Sequence, residues 1–179
     1  MPATLPSQQL TLQSFGDISR FLREGVADEE SRQLRDSLGA LSTHIEEAVR
    51  ARRTSKDTSA IAQRVAALTK CAQEHQIFLT GLGSAWHALY EFGAYQRALR
   101  ELRNAISAWQ NMLDRRSSRE SASFDQFELL AWRTLGEALL LIDMYEHQSD
   151  PQSDLQNAAP PRKLSALQRL RAWFGRFGR

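Results

Sequence analysis

The chain has 179 residues, 42% apolar and 25% charged, which is enough for one domain with its own core, without disulfides or metals. Its single cysteine, Cys71, excludes an internal disulfide framework and fits a reducing compartment such as the cytoplasm. The net charge of +2 divides unevenly: residues 162–179 carry six positive charges and no acid, leaving −4 on residues 1–161. That argues against a nucleic-acid-binding body, because phosphate recognition wants a basic face on the folded domain itself.

The five prolines, Pro2, Pro6, Pro151, Pro160 and Pro161, leave the middle of the chain free of the strongest helix breaker. Residues 1–14 form a polar lead-in, with neither the basic region nor the apolar run of a secretory signal. A short helix is predicted after Asp17, with Ile18, Phe21 and Leu22 on one side and Gly25 near its end. Over 28–53, Leu34, Leu38, Leu41, Ile45 and Val49 recur every three or four residues. Acids in the first turn and arginines in the last suit the helix dipole, so a long helix is predicted there.

After a turn at 54–59, a second stripe runs through Ile61, Val65, Leu68, Ala72, Phe78 and Leu79, to be ended by Gly81-Leu82-Gly83. A third helix is expected over 84–92 with Gly93 as its terminator, and a fourth over 95–113. Ser123 and Gln126 have capping-box spacing, so a fifth is expected over 124–147. That fifth helix is apolar nearly all round in its middle and is expected to be central. No segment alternates with period two, so the fold class is all-α, with a helical domain over 15–147 and a linker over 148–161.

Residues 79–112 resemble a tetratricopeptide repeat. Leu82, Ala85, Leu89, Gly93, Tyr95, Ala98, Leu102 and Ala105 fall at its large, small and turn positions. Trp132-Arg133-Thr134-Leu135-Gly136, within 131–145, resembles the opening of a first repeat helix. Trp86 stands where the repeat carries a small residue, a departure from the pattern. The resemblance implies antiparallel helix pairs. The architecture is accordingly a helical bundle or a short tetratricopeptide-like α-solenoid of about five main helices, plus a C-terminal amphipathic helix.

Motifs that carry chemistry are scarce. His44, His75, His87 and His147 show neither HxxxH nor HExxH spacing, and His44 with Glu47 is a single i,i+3 pair. There is no P-loop, GxGxxG or GxSxG, so no catalytic residue, metal or cofactor is implied. Trp86, Trp109 and Trp132, among aliphatic neighbours, read as core, and Cys71 as a small core residue.

The candidate contact segment is the tail. Leu164, Leu167, Leu170, Trp173, Phe174 and Phe177 fall on one side of a helical projection, with Arg162, Lys163, Arg169, Arg171 and Arg176 largely on the other. Such a segment suits an anionic membrane surface, a partner's groove or its own domain. No window approaches about 18 uninterrupted apolar residues, so a span is not expected. The sequence thus points to a non-catalytic protein-binding module (adaptor, chaperone or inhibitor) located in the cytoplasm or peripherally at the inner face of a membrane. A lipid-recruited scaffold and a helix-turn-helix DNA-binding regulator are the alternatives.

Overall fold

The computed structural model describes residues 14–24 and 28–148. Among these the elements are α1 (Phe15–Glu24), α2 (Glu29–Thr54), α3 (Thr58–Thr80), α4 (Ser84–His87), α5 (Tyr90–Asp114) and α6 (Glu120–Gln148), with no strand. Gln148, the first residue of the linker expected over 148–161, ends α6; the rest of that stretch and the tail expected over 162–179 lie outside the described residues.

The four long helices form a closed ring. α2 packs on α3, α3 on α5, α5 on α6, and α6 returns to α2, while α1 lies along α2. This is an all-α helical bundle. The stripe read on α2 is its inner face: Leu34, Leu38, Leu41 and Ile45 have no exposed surface. α2 is started by the Asp28 carboxylate, which accepts from the Ser31 amide at 2.8 Å, and α3 by Asp57, which accepts from the Ser59 amide at 2.9 Å.

Four local readings need correction. α1 begins at Phe15 because Ser14 and Asp17 form a reciprocal cap. The Asp17 amide donates to Ser14 Oγ at 3.2 Å, and the Ser14 amide donates to the Asp17 carboxylate at 3.0 Å. Phe15 is thereby turned inward to stack on Trp132, with ring centroids 4.2 Å apart.

The predicted helix over 84–92 is a single turn, α4, and the chain breaks at Ala88–Leu89 rather than at Gly93. Gly93 lies inside α5, so the break expected there between helices over 84–92 and 95–113 is not formed. Leu89, buried and extended at ψ 134°, makes the bend instead.

α6 starts at Glu120, and the Ser123–Gln126 cap is not used. α5 ends in a left-handed reversal, with Arg116 at φ 49° and the Ser117 amide donating back to Met112 O at 3.0 Å. That reversal brings the chain round early enough for Glu120 to serve as first-turn residue.

Finally, α6 packs on α5 and α2 and is one wall of the ring rather than its centre.

Candidate functional site

Three polar clusters join the helices, and they account for most of the chemistry inside the bundle. The first lies in the middle, where His75 on α3 is almost wholly buried. Its Nδ1 is 2.6 Å from Ser37 Oγ on α2, and its Nε2 is 2.5 Å from the Tyr95 hydroxyl on α5. A neutral imidazole has one donor and one acceptor nitrogen, and each hydroxyl can take the complementary role. Burial pushes the His75 pKa down to about 4, so the ring is neutral near neutrality. Burial, and then the Cys71 thiolate charge, push the Tyr95 hydroxyl up. Cys71 itself is half-buried, its thiol pushed up by burial and by Glu74, which makes it less reactive rather than more.

The second cluster ties α2 to α6 at one end. Arg35, with its side chain only 8% exposed, donates through Nε and Nη2 to the two oxygens of Glu146, both at 2.9 Å, and Ser31 Oγ donates to the same carboxylate at 2.7 Å. Beside it the Trp86 indole is stacked on Tyr145 with centroids 3.5 Å apart and planes at 6°. Trp86 Nε1 donates to the Glu30 carboxylate at 3.1 Å, and the Tyr145 hydroxyl donates to it at 3.4 Å. A Cβ added at Gly83 would lie 3.0 Å from that carboxylate, which would have to give by a few tenths of an ångström.

The third cluster closes the other end. Arg52 Nε and Nη2 donate to the two oxygens of Glu120, both at 2.7 Å, and the fully buried Trp109 donates its indole N–H to Glu120 at 2.8 Å. Burial works against the Glu120 charge, but the hydrogen bonds from Arg52 and Trp109, helped by the Arg52 charge, outweigh it and hold the carboxyl below its usual range. The bond to Glu120 raises Arg52 in turn, against its own burial.

The other histidines are dispersed: His44 Nδ1 is 3.7 Å from Glu47, His147 is paired with Asp143 at 3.3 Å, and His87 leans on Phe92. Among the described residues no three His, Cys, Asp or Glu side chains converge as a metal site would require, and no helix is long and apolar enough to cross a membrane. A cleft of about 380 Å³ between α1 and α2 is lined by Arg23, Asp36, Gly39, Ala40, Thr43 and His44. A smaller one of about 150 Å³ lies between α3 and α5.

The outer surface offers a different feature. Tyr90, the first residue of α5, is 79% exposed, and Ile77, in the last turn of α3, is 64% exposed. Ala85 and Ala88, on either side of the buried Trp86, are also exposed. The sequence reading placed Tyr90 with Trp86 and Leu89 on the helix expected over 84–92. The sign available was its place one residue after Leu89, where a helix that restarts cannot turn both side chains inward. The contact segment expected at 162–179, including Arg162, Leu167, Trp173, Phe174 and Phe177, lies outside the described residues.

No protein-family model matches the chain, no curated protein matches it, and no solved structure matches it.

Proposed function

We propose that the protein is a non-catalytic binding module, an adaptor, chaperone or inhibitor that acts by occupying a partner protein's surface. The observation that carries this reading is the apolar end of the bundle. Tyr90, Ile77, Ala85 and Ala88 stay in water there, while among the described residues most large apolar side chains are packed inside, Leu129 on α6 being the other one left exposed. A tyrosine held on a rigid scaffold gives a large contact area at low entropic cost, and aromatic side chains dominate binding energies at protein interfaces. The stacked pair Trp86–Tyr145 fixes α4 beneath that surface, so little ordering remains to be done on binding. The interior groups that could have done chemistry, His75, Tyr95 and Glu120, are committed to bonds between helices.

The test is site-specific photo-crosslinking in the native host, with the reactive side chain placed at Tyr90 and, as a control, at exposed Ala66 on α3. The reading expects a discrete protein adduct from position 90 and none from 66. Equal diffuse labelling from both would contradict it.

A second reading is favoured by the six basic charges and the Trp173-Phe174 pair of residues 162–179: recruitment to anionic lipid. Full-length protein should then co-sediment with phosphatidylserine-containing vesicles and much less with neutral ones. Trp173→Ala with Phe174→Ala should weaken this. Equal sedimentation with both lipids, or with neither, would count against it.

A further inference from the structure

The groove of about 150 Å³ between α3 and α5 has the buried Ala72 and Ile106 as its floor. Its rim on α5 is Arg100, Arg103 and Asn104, spaced i, i+3 and i+4 and so on one face of the helix. Arg103 reaches across the groove, its Nη1 donating to Gln76 Oε1 on α3. Thr69 and Ser107, also in the lining, turn their hydroxyl protons onto their own helices. Thr69 donates to Val65 O at 2.9 Å, with Gln110 Oε1 at 3.5 Å, and Ser107 donates to Arg103 O at 3.1 Å. The lining groups left with protons to offer are the two guanidiniums and the Asn104 amide.

Among the described residues no acid lines this groove. The acids on its two helices are Glu74 on α3 and Glu91, Glu101 and Asp114 on α5. Glu74 is paired with Lys70 at 3.7 Å, and Glu101 with Arg133 on α6 at 2.8 Å. Glu91 lies nine residues before Arg100 and Asp114 eleven after Arg103. That is about 13–17 Å along the helix, beyond the roughly 10 Å over which exposed charges are felt at 0.1 M salt. Arg100 and Arg103 form no ion pair with a described acid, whereas Arg32, Arg35, Arg52, Arg53, Arg64 and Arg133 each do. Like charges at i, i+3 repel, and a bound anion removes that cost. We propose that the groove binds a small phosphate monoester through Arg100, Arg103 and Asn104. Each guanidinium is a planar fork that matches two oxygens of a phosphate, and two forks balance the nearly double charge of a monoester. A carboxylate, with two oxygens and one charge, would leave one fork idle. The groove holds about five times the ~30 Å³ share of one water, room for the tetrahedral group alone, so the rest of the ligand projects into solvent. The site begins ten residues along α5 from Tyr90, and neither it nor the partner-binding reading depends on the other.

The experiment uses the full chain, uniformly ¹⁵N-labelled, at constant ionic strength. Inorganic phosphate, and then glycerol 3-phosphate, is titrated in while the backbone amide and arginine Nε–H resonances are followed. Both should give saturable shifts centred on Gln76, Arg100, Arg103 and Asn104, half complete by about 5 mM, a modest affinity for two charge-assisted forks. Diethyl phosphate, a singly charged diester, should bind at least about tenfold more weakly, because one fork loses its counter-charge. Half-saturation above that concentration, or shifts as large at Arg115, Arg116 and Arg119, would mean a diffuse counterion and overturn the site. Equal affinity for the diester would overturn the monoester assignment.

Variants separate the groove from net charge. Arg100→Gln with Arg103→Gln removes both forks and should weaken phosphate binding at least about tenfold. Arg115→Gln with Arg119→Gln removes the same charge elsewhere and should leave the affinity within about twofold, since those residues lie more than a screening length away. Arg103→Lys, which keeps the charge and loses the fork, should fall between. Asn104→Asp, nearly isosteric at an exposed position, sets a negative charge beside the anion and should abolish saturable binding. Wild-type dispersion of the amide spectrum shows that each variant is folded. Equal weakening by the 115/119 pair, or full binding by the 100/103 pair, would overturn the proposal. Should the 100/103 pair not fold, Asn104→Asp decides alone, and undiminished binding there would overturn it.

Discussion

His75 makes the stability of the bundle depend on pH in a way that can be calculated. In the unfolded chain its pKa is that of a free histidine, about 6.5. In the fold, burial pushes it down to about 4. The native state therefore binds fewer protons than the unfolded chain between those values. The stabilisation is fully present above about pH 6.5 and is lost progressively as pH falls toward about 4. At a pH near 4.5 the linkage amounts to about 2–3 kcal/mol. Carboxylates titrate in the same range, so wild type must be compared with a variant that differs only here. His75→Gln keeps a donor and an acceptor for Ser37 and Tyr95 without a titrating group. Urea denaturation at pH 7 and near pH 4.5 should show wild type losing about 2–3 kcal/mol more than His75→Gln. Parallel losses would refute the buried, neutral imidazole. A smaller loss in wild type than in the variant would reverse its sign.

Further predictions concern single contacts. Arg116→Gly should raise stability by about 1 kcal/mol, because the left-handed backbone at φ 49° costs a non-glycine residue about that much. Gly39→Ala should add about 0.5–1 kcal/mol, since the glycine is mid-helix and a Cβ there meets nothing within 4 Å. Urea midpoints check both, and a loss of stability in either variant contradicts the local geometry. Glu120→Ala should cost about 2–3 kcal/mol by stranding the Arg52 guanidinium and the Trp109 indole N–H together. In the Trp109→Phe background much of that penalty should be gone. A full penalty there would show that the indole bond contributes nothing. Leu135→Ala should cost about 2–5 kcal/mol for a side chain with no exposed surface, and an unchanged midpoint would show that it is not packed.

The helices were legible because they are periodic. The α2 stripe and its Asp28 start, and the α3 stripe ending near Gly81, follow from local spacing that tertiary contacts did not override. The break at Ala88–Leu89 was not legible: Gly93 is a better helix breaker than either residue. What decides the matter is the burial of Trp86 under Tyr145, a contact across 59 positions. The start of α6 was missed for a similar reason, since Glu120 is recruited by Arg52, 68 residues earlier. In the sequence Arg35 is one charge beside the α2 stripe, and nothing local says that its partner is Glu146. The repeat-like residues of 82–105 are distributed over α4, α5 and the turns before each, with Ala85 exposed and Trp86 filling the core. Tyr90 was the least visible, because exposure is a property of the assembled bundle rather than of its neighbours in the chain.

The central claim is that the outside of this bundle, and not its interior, carries the function. It is tested most directly by isolating the partner crosslinked at position 90 and measuring its affinity for two sets of variants by titration calorimetry. Ile77→Ser with Tyr90→Ser should weaken binding at least about tenfold at an unchanged melting temperature, since hot-spot tyrosines contribute on that scale. His75→Gln and Tyr95→Phe should lower the melting temperature and leave the affinity, measured below melting, unchanged. Intact binding in the surface pair, with loss of binding in the interior variants while they remain folded, would contradict the account.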